Sequence, residues 1–459
     1  MERLKSGCYE GRWDRSAVQT VVMATALHFL VDGLCACCLY LMVQRGDMWQ
    51  MVEVFLAYNV VAFMTQPLTG WWADSLRRRH WLLLLSAGWL LAALVVEMLT
   101  RGATVGCQFA VALLLGVGNS LFHVWGGKQV AVETRNDMRA LGVFVSSGAV
   151  GLTVGVLASS WWLGGGMMLA IGLLVLSYIY TCAREGLPGS EPVQDGTTAA
   201  VCAQSGRQTG AGQLMTWLMV AAVMLFVLLR SLLGTCLGAA LEKTGGMMMV
   251  LALTAMVGKM GGGWLARRWG ITLAGTVVLL VSGCSFYVAS IATSAVPQVY
   301  VLVGVLAINC TMPMTLHLAN RLLPGREGLA FGLLAAVLLP GTWLASWLLP
   351  GEVAHLMAAA LVLTVVVELA VLMLMGERRK QLLWLSVGMN IVTNVSLNLL
   401  LIQTGGTLTS VATGEAAVLV AETLGFRLVL KDWHRAFTYS LLCNATSFLV
   451  GTLFNLISV

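Results

Sequence analysis

Four ionisable residues stand where a polar side chain is expensive, inside long apolar runs: His28 and Asp32 one helical turn apart, then Arg230 and Lys259. A carboxylate and an imidazole four residues apart share a helix face and suit proton exchange, Asp32 as the coupling carboxylate and His28 as its relay. Arg230, with its planar fork of donors, suits either a lock on Asp32 or the capture of an anionic group, and Lys259 would add a second positive charge. Less costly polar groups recur in two further apolar runs, Asn119 with His123, and Asn309 with Thr311, Thr315 and His317. Each has a structural alternative. Asp32 and Arg230 would make a static pair, the three histidines would be satisfied core residues, and Lys259 would snorkel to an aqueous face. His28, Asp32 and Cys35 also share a face and would suit a soft or borderline metal ion, but no second segment offers a matching pair of ligands.

What must position these groups is a set of membrane helices. Apolar residues make up 58% of the 459-residue chain and charged residues 10%, a composition that no aqueous surface can cover. From Ser16 to Val459 the sequence divides into fifteen apolar stretches, most of them about 20 residues long, the length that spans about 30 Å of hydrocarbon. They begin near Ser16, Val52, Trp81, Thr104, Ala140, Gly166, Leu214, Met247, Thr272, Val299, Leu329, Val353, Leu382, Val411 and Thr438. No short apolar core with a small-residue cleavage site follows the basic N-terminal segment, so the first stretch reads as a retained helix.

With the N-terminus placed in the cytoplasm, alternate loops collect the basic residues, as the positive-inside rule requires. Arg77, Arg78 and Arg79, then Lys128, Arg135 and Arg139, Arg267 and Arg268, and Arg378, Arg379 and Lys380 fall inside, whereas the outside loops hold only Arg45, Arg101 and Lys243. The net charge of +6 is therefore an orientation signal and implies no nucleic-acid partner. Cysteines scattered through apolar segments read as small buried hydrophobes.

A Gly-, Ser-, Thr- and Gln-rich stretch after the sixth segment divides the chain. The expected organisation is a six-helix half over 1–185, a cytoplasmic linker over 186–213, a second six-helix half over 214–377 and a three-helix membrane extension over 378–459. That is an all-α integral membrane fold of twelve plus three spans, in a cytoplasmic membrane, with the C-terminus outside. Pro313 should break the tenth helix. In the extension, Asn390, Asn394 and Asn398 recur every four residues, Glu415 and Glu422 lie seven apart, and Asn444 sits in the last helix. Such a stripe suits an interhelical network against the body or a second copy, with a second ion path or a partner-docking surface as the alternatives.

The segment Gly70-Trp71-Trp72-Ala73-Asp74-Ser75-Leu76-Arg77-Arg78-Arg79 resembles the signature loop of the major facilitator superfamily. Gly262 to Gly270 resembles a degenerate second copy, with Arg267 where an acidic residue is common, and a second latch of the same chemistry is therefore not expected. Gly116 to His123, followed by the Gly-spaced Gly148 to Gly155, is similar to the fosmidomycin-resistance-like exporters and their uncharacterised relatives, over residues up to about 377. The resemblance implies a secondary transporter working by alternating access, with Gly70, Asp74, Arg78 and Arg79 as a cytoplasmic gating motif. It also implies that helices one, four, seven and ten line a central cavity, which places Asn119, His123, Arg230, Asn309, Thr311 and His317 there, with Lys259 nearby, as solute ligands beside the proton site of Asp32 and His28. The basic excess points to an organic anion. Nucleotide-binding glycine loops, zinc-protease motifs and serine elbows are missing from the sequence, so neither an enzyme nor a cofactor is expected. The competing readings are a non-transporting sensor or scaffold acting through 378–459 and, below it, a metal-ion transporter.

Overall fold

The computed structural model describes residues 13–43, 48–76, 80–101, 103–159, 162–185, 210–239, 244–291, 297–342, 364–365, 367–369, 371–373, 375, 377–404 and 408–457. Among these residues the regular structure is entirely helical, as expected where no water is present to satisfy an open backbone. Numbered in chain order, the helices are α1 (Arg15–Val43), α2 (Met48–Asn59), α3 (Gln66–Ser75), α4 (His80–Thr100), α5 (Val105–Glu133), α6 (Met138–Ala158), α7 (Trp162–Glu185), α8 (Gly210–Ala239), α9 (Gly245–Trp269), α10 (Ile271–Ile291), α11 (Pro297–Asn309), α12 (Thr311–Leu322), α13 (Glu327–Ala336), α14 (Lys380–Thr404), α15 (Leu408–Leu430) and α16 (Trp433–Ile457).

Among the described residues, seven helical stretches are long and apolar enough to cross a membrane: Arg15–Val43, Gln50–Ser75, Trp81–Thr100, Val105–Glu133, Met138–Ala158, Gly245–Trp269 and Gln298–Leu322. Large apolar side chains on the outside, such as Leu99 at 80% exposure and Leu68 at 70%, mark the surface that needs lipid. The second stretch passes through a π-helical segment, Val60–Met64, just before Pro67 at the start of α3. The missing N–H of proline is tolerated in a first helical turn, and the wider π segment absorbs the change of register. The break expected from Pro313 falls at Cys310, between α11 and α12.

Three packings organise the bundle. Helix α1 lies along α6, α6 along α9, and α3 along α13. The last two join helices before the 186–213 stretch to helices after it. Their closeness depends on glycine: a Cβ added at Gly70 would sit 2.2 Å from the Gly328 carbonyl oxygen, and one at Gly328 would sit 2.7 Å from that of Gly70. One core cluster joins α1–α7 to α8, α12 and α13. A second joins α8, α10 and α11 to α14, α15 and α16, through Phe226, Leu279, Val305, Leu382, Ile391 and Phe426.

Candidate functional site

The site begins on α1, whose Asp32 meets two histidines rather than an arginine. His28 Nε2 is 3.2 Å from Asp32 Oδ2, and His123 Nε2, on α5, is 3.5 Å from Asp32 Oδ1. The two Nε2 atoms are 3.1 Å apart. Asn119, one turn before His123, donates from Nδ2 to Asp32 Oδ1 at 3.4 Å and to Cys35 Sγ at 3.8 Å. Helix α6 supplies the floor, because Gly148 has no side chain to intrude: a Cβ there would be 2.4 Å from Asp32 Oδ2 and 2.5 Å from His28 Nε2.

Hydrogen-bond partners assign the tautomers. His28 Nδ1 lies 2.8 Å from the Phe144 carbonyl oxygen, and His123 Nδ1 lies 3.0 Å from that of Asn119. Carbonyls only accept, so both Nδ1 atoms carry a hydrogen, and with both rings neutral each Nε2 would turn a lone pair toward the carboxylate. In that state two lone pairs and a carboxylate would face one another without a hydrogen between them. One added proton on an Nε2 turns this repulsion into hydrogen bonds. His28, Asp32 and His123 offer donor atoms all within 4.8 Å of one another, a spacing that also suits a metal ion. Cys35 is the odd member of the set expected from sequence, since Asn119 holds its sulfur and His123 takes its place.

The expected meeting of Asp32 with Arg230 is not found among the described residues. The carboxylate is already occupied within its own group of helices, and α8 does not pack along α1. Arg230 Nη1 is buried with no hydrogen-bond partner. Lys259, on α9, lies within electrostatic reach of Asp32, His123 and Arg230. Neither cation forms an ion pair among the described residues. Asn309 donates back to the Val305 carbonyl and Thr311 to that of Ile308.

His317 is placed elsewhere, at the end of the bundle marked by Asp74. Its Nδ1 bonds the Asn136 carbonyl at 2.7 Å, Asn136 Nδ2 donates to the His317 carbonyl at 3.0 Å, and Asn320 donates to Asn136 Oδ1 at 3.0 Å. Asp137, the N-cap of α6, accepts from Trp13, Arg139 and, across from α9, Arg267 at 3.2 Å. Asp74 itself accepts from the backbone N–H groups of Gly328 at 3.0 Å and Leu329 at 2.9 Å in the first turn of α13, and pairs with Lys128 at 2.9 Å. A carboxylate there meets both the unsatisfied N–H groups and the positive end of the helix dipole. Arg78 and Arg79 lie outside the described residues. Sequence reasoning missed Asn136 and Asp137, although a helix-capping Asn-Asp pair ahead of an apolar run was a usable signal.

This end is therefore closed by three contacts between α1–α7 and α8–α13. The profile of the Major Facilitator Superfamily matches residues 47–346. The chain belongs to the major facilitator superfamily. No curated protein matches it in sequence. Among solved superfamily structures, it is similar to the E. coli fucose:proton symporter, with a TM-score of 0.57 and 11% identity over 83% of this chain and 99% of that one. A superfamily transporter, FucP, in the outward conformation gives a TM-score of 0.58 with the same identity and coverage. The human organic anion transporter MFSD10 (TETRAN) gives 0.57, with 15% identity over 77% of this chain and 98% of that one. At these identities the likeness is one of fold. The sequence motif at Gly70 and Asp74 thus marks the right superfamily. Helices α14–α16 follow the matched region.

Proposed function

We propose that this protein is a proton-coupled secondary transporter of a small organic anion, working by alternating access between residues 1–185 and 214–377. The observation that carries this reading is the convergence of His28, His123 and Asp32, with Lys259 within electrostatic reach of them and Arg230 within reach of Lys259, neither cation having an ion-pair partner among the described residues. The triad is at ease only with a bound positive charge. A divalent metal ion would meet repulsion from Lys259 and Arg230, which makes the proton the better occupant. When the proton leaves, Asp32 gains from turning toward Lys259. Arg230 is left to hold an anionic solute by bidentate hydrogen bonds, with Asn119 and Asn309 as further ligands. Proton and anion thereby compete for the same set of charges, which couples their movements.

With the Asp74 end in the cytoplasm, as the basic loops indicate, the closed contacts correspond to a state open to the outside, in a plasma membrane. The twelve spans of the superfamily plan are then followed by α14–α16 as three more. Proton flux into liposomes holding the purified protein tests the reading, with a panel of small organic anions and Asp32→Asn beside the wild type. Anion-dependent flux that disappears in Asp32→Asn supports it. Equal flux in both removes Asp32 from the mechanism, and no flux with any anion favours a non-transporting sensor or scaffold.

A further inference from the structure

A second group of carboxylates lies far along the chain, between the segment at 364–373 and helices α14–α16. Glu368 and Glu422 are both 0% exposed. Asn390, on α14, donates to Glu368 Oε2. Thr393, one turn further on the same helix, donates to Glu422 Oε1 at 3.2 Å, while Ser440 on α16 donates to Glu422 Oε2 at 3.3 Å and Asn444 donates to the same oxygen. Cys443, the neighbour of Asn444, donates from its thiol to the Glu368 carbonyl at 3.7 Å. Helix α14 therefore holds both carboxylates and α16 adds two donors to Glu422, giving three donors on Glu422 and one on Glu368.

No cation neutralises either group among the described residues. Glu415 on α15 and Cys443 on α16 lie within electrostatic reach of both, and neither can supply a positive charge. Arg427 is stacked on Trp433, and Arg379 is bound by Glu377. Two neighbouring carboxylates in a dry interior do not both stay ionised without a positive partner. The unfilled position is marked by atoms that have nothing to bond. Glu368 Oε1 is buried without a hydrogen-bond partner, and so is the hydroxyl of Ser386, which is 0% exposed and one turn before Asn390 on the same face of α14.

We propose that Glu368 and Glu422 form a binding site for one monovalent cation, a proton or a sodium ion, seated on Glu368 Oε1 beside the Ser386 hydroxyl. Glu422 is the seat of the single negative charge that remains, stabilised by its three donors, while Asn390 positions Glu368. The surrounding groups are carboxylates, amides and hydroxyls, the oxygen donors that suit a proton or a hard alkali ion and not a soft metal. The site does not depend on the triad of α1 and α5, and its test does not use transport.

Thermal unfolding of the purified full-length protein reads the site directly, in the Asp32→Asn background so that the central carboxylate is silent. Tm is measured from pH 5 to pH 9 in choline chloride and again in sodium chloride, for that protein and for Glu368→Gln. A cation bound only by the folded state raises Tm as its concentration rises. The expected result in choline is a Tm that falls by about 3 °C or more as pH rises, with a much smaller fall in Glu368→Gln. Sodium that restores Tm at pH 9 identifies the ion as Na⁺, and a Tm indifferent to sodium identifies it as H⁺. Should Glu368→Gln fail to fold, the protonated-carboxyl C=O band in infrared difference spectra, compared with Glu422→Gln, takes its place. The same pH and sodium dependence in Glu368→Gln as in its parent, or no titrating carboxyl band, overturns the proposal.

Discussion

Asp32, His28 and His123 meet at a point where a fourth residue must be nothing at all, and that residue is Gly148. A methyl group there would contact the ends of two side chains, Asp32 Oδ2 and His28 Nε2, which can move aside. Three residues on, a Cβ at Gly151 would lie 2.4 Å from the Phe29 carbonyl oxygen, which cannot move without α1. The two alanine substitutions should therefore separate function from stability. Gly148→Ala is expected to keep Tm within about 1 °C and to reduce coupled flux at least about tenfold, because it pushes the carboxylate off both histidines. Gly151→Ala should instead lose about 1–3 kcal/mol of stability, seen as a lower Tm, through overpacking of α1 on α6. Matching losses of Tm in both would show that Gly148 serves packing alone. The ionisable members of this site were legible in the sequence because charges in apolar runs are rare enough to notice. Their partnership was not, since helix rotation decides which faces meet: Asn119 and His123 turn toward Asp32, and His317, with the same signature, turns toward Asn136.

At the scale of elements, the latches at the Asp74 end rest on helix beginnings. Asp74 caps α13 from a distance, and Asp137 caps its own helix α6 while reaching Arg267 on α9. The first was legible as a motif, and the second was not, because Arg267 read as a missing acid when its partner had moved to another loop. Burial raises the Asp137 carboxyl, but hydrogen bonds from Arg139 and Trp13 outweigh it and hold the group below the usual carboxylate range. A folded-state value below the unfolded one gives stability that is present above about pH 4 and is lost as pH falls through the folded value. This latch is therefore intact from pH 8 to pH 5. The cross-helix bond itself is partly exposed, with Arg267 at 41%, and should be worth about 0.2–1 kcal/mol. Maleimide labelling of Ala140→Cys, a buried position on α6, in a protein free of native cysteines, measures opening at this end. Asp137→Asn should speed labelling by up to about fivefold at pH 7, while the parent rate stays flat between pH 8 and 5. A parent rate that climbs already at pH 6 would assign the pH response to a different group.

For the whole molecule, the open question is what α14–α16 do for the body that carries the transport fold. Apolar contacts alone give a weak answer, because in a bilayer lipid replaces a lost helix at little cost. The second core cluster would exchange Leu382, Leu383, Ile391 and Phe426 for acyl chains. Glu368 has no such substitute. Its carboxyl takes its hydrogen bond from Asn390 on α14, while Cys443 on α16 bonds its main-chain carbonyl, and with those helices removed the carboxyl would face hydrocarbon without that donor. The asparagine stripe of α14 was legible as a network in the sequence. Glu368 was not, since one acid near the end of a long apolar stretch shows no partner until the helices are assembled. A chain ending after Met375 should therefore express poorly or unfold at a much lower temperature than the full chain. Adding Glu368→Leu to that truncated chain should restore much of the loss, because it removes the one group lipid cannot serve. Full stability of the simple truncation would mean that the three helices are an independent attachment. Failure of Glu368→Leu to rescue it would mean that close packing, not the buried carboxyl, ties α14–α16 to the transporter body.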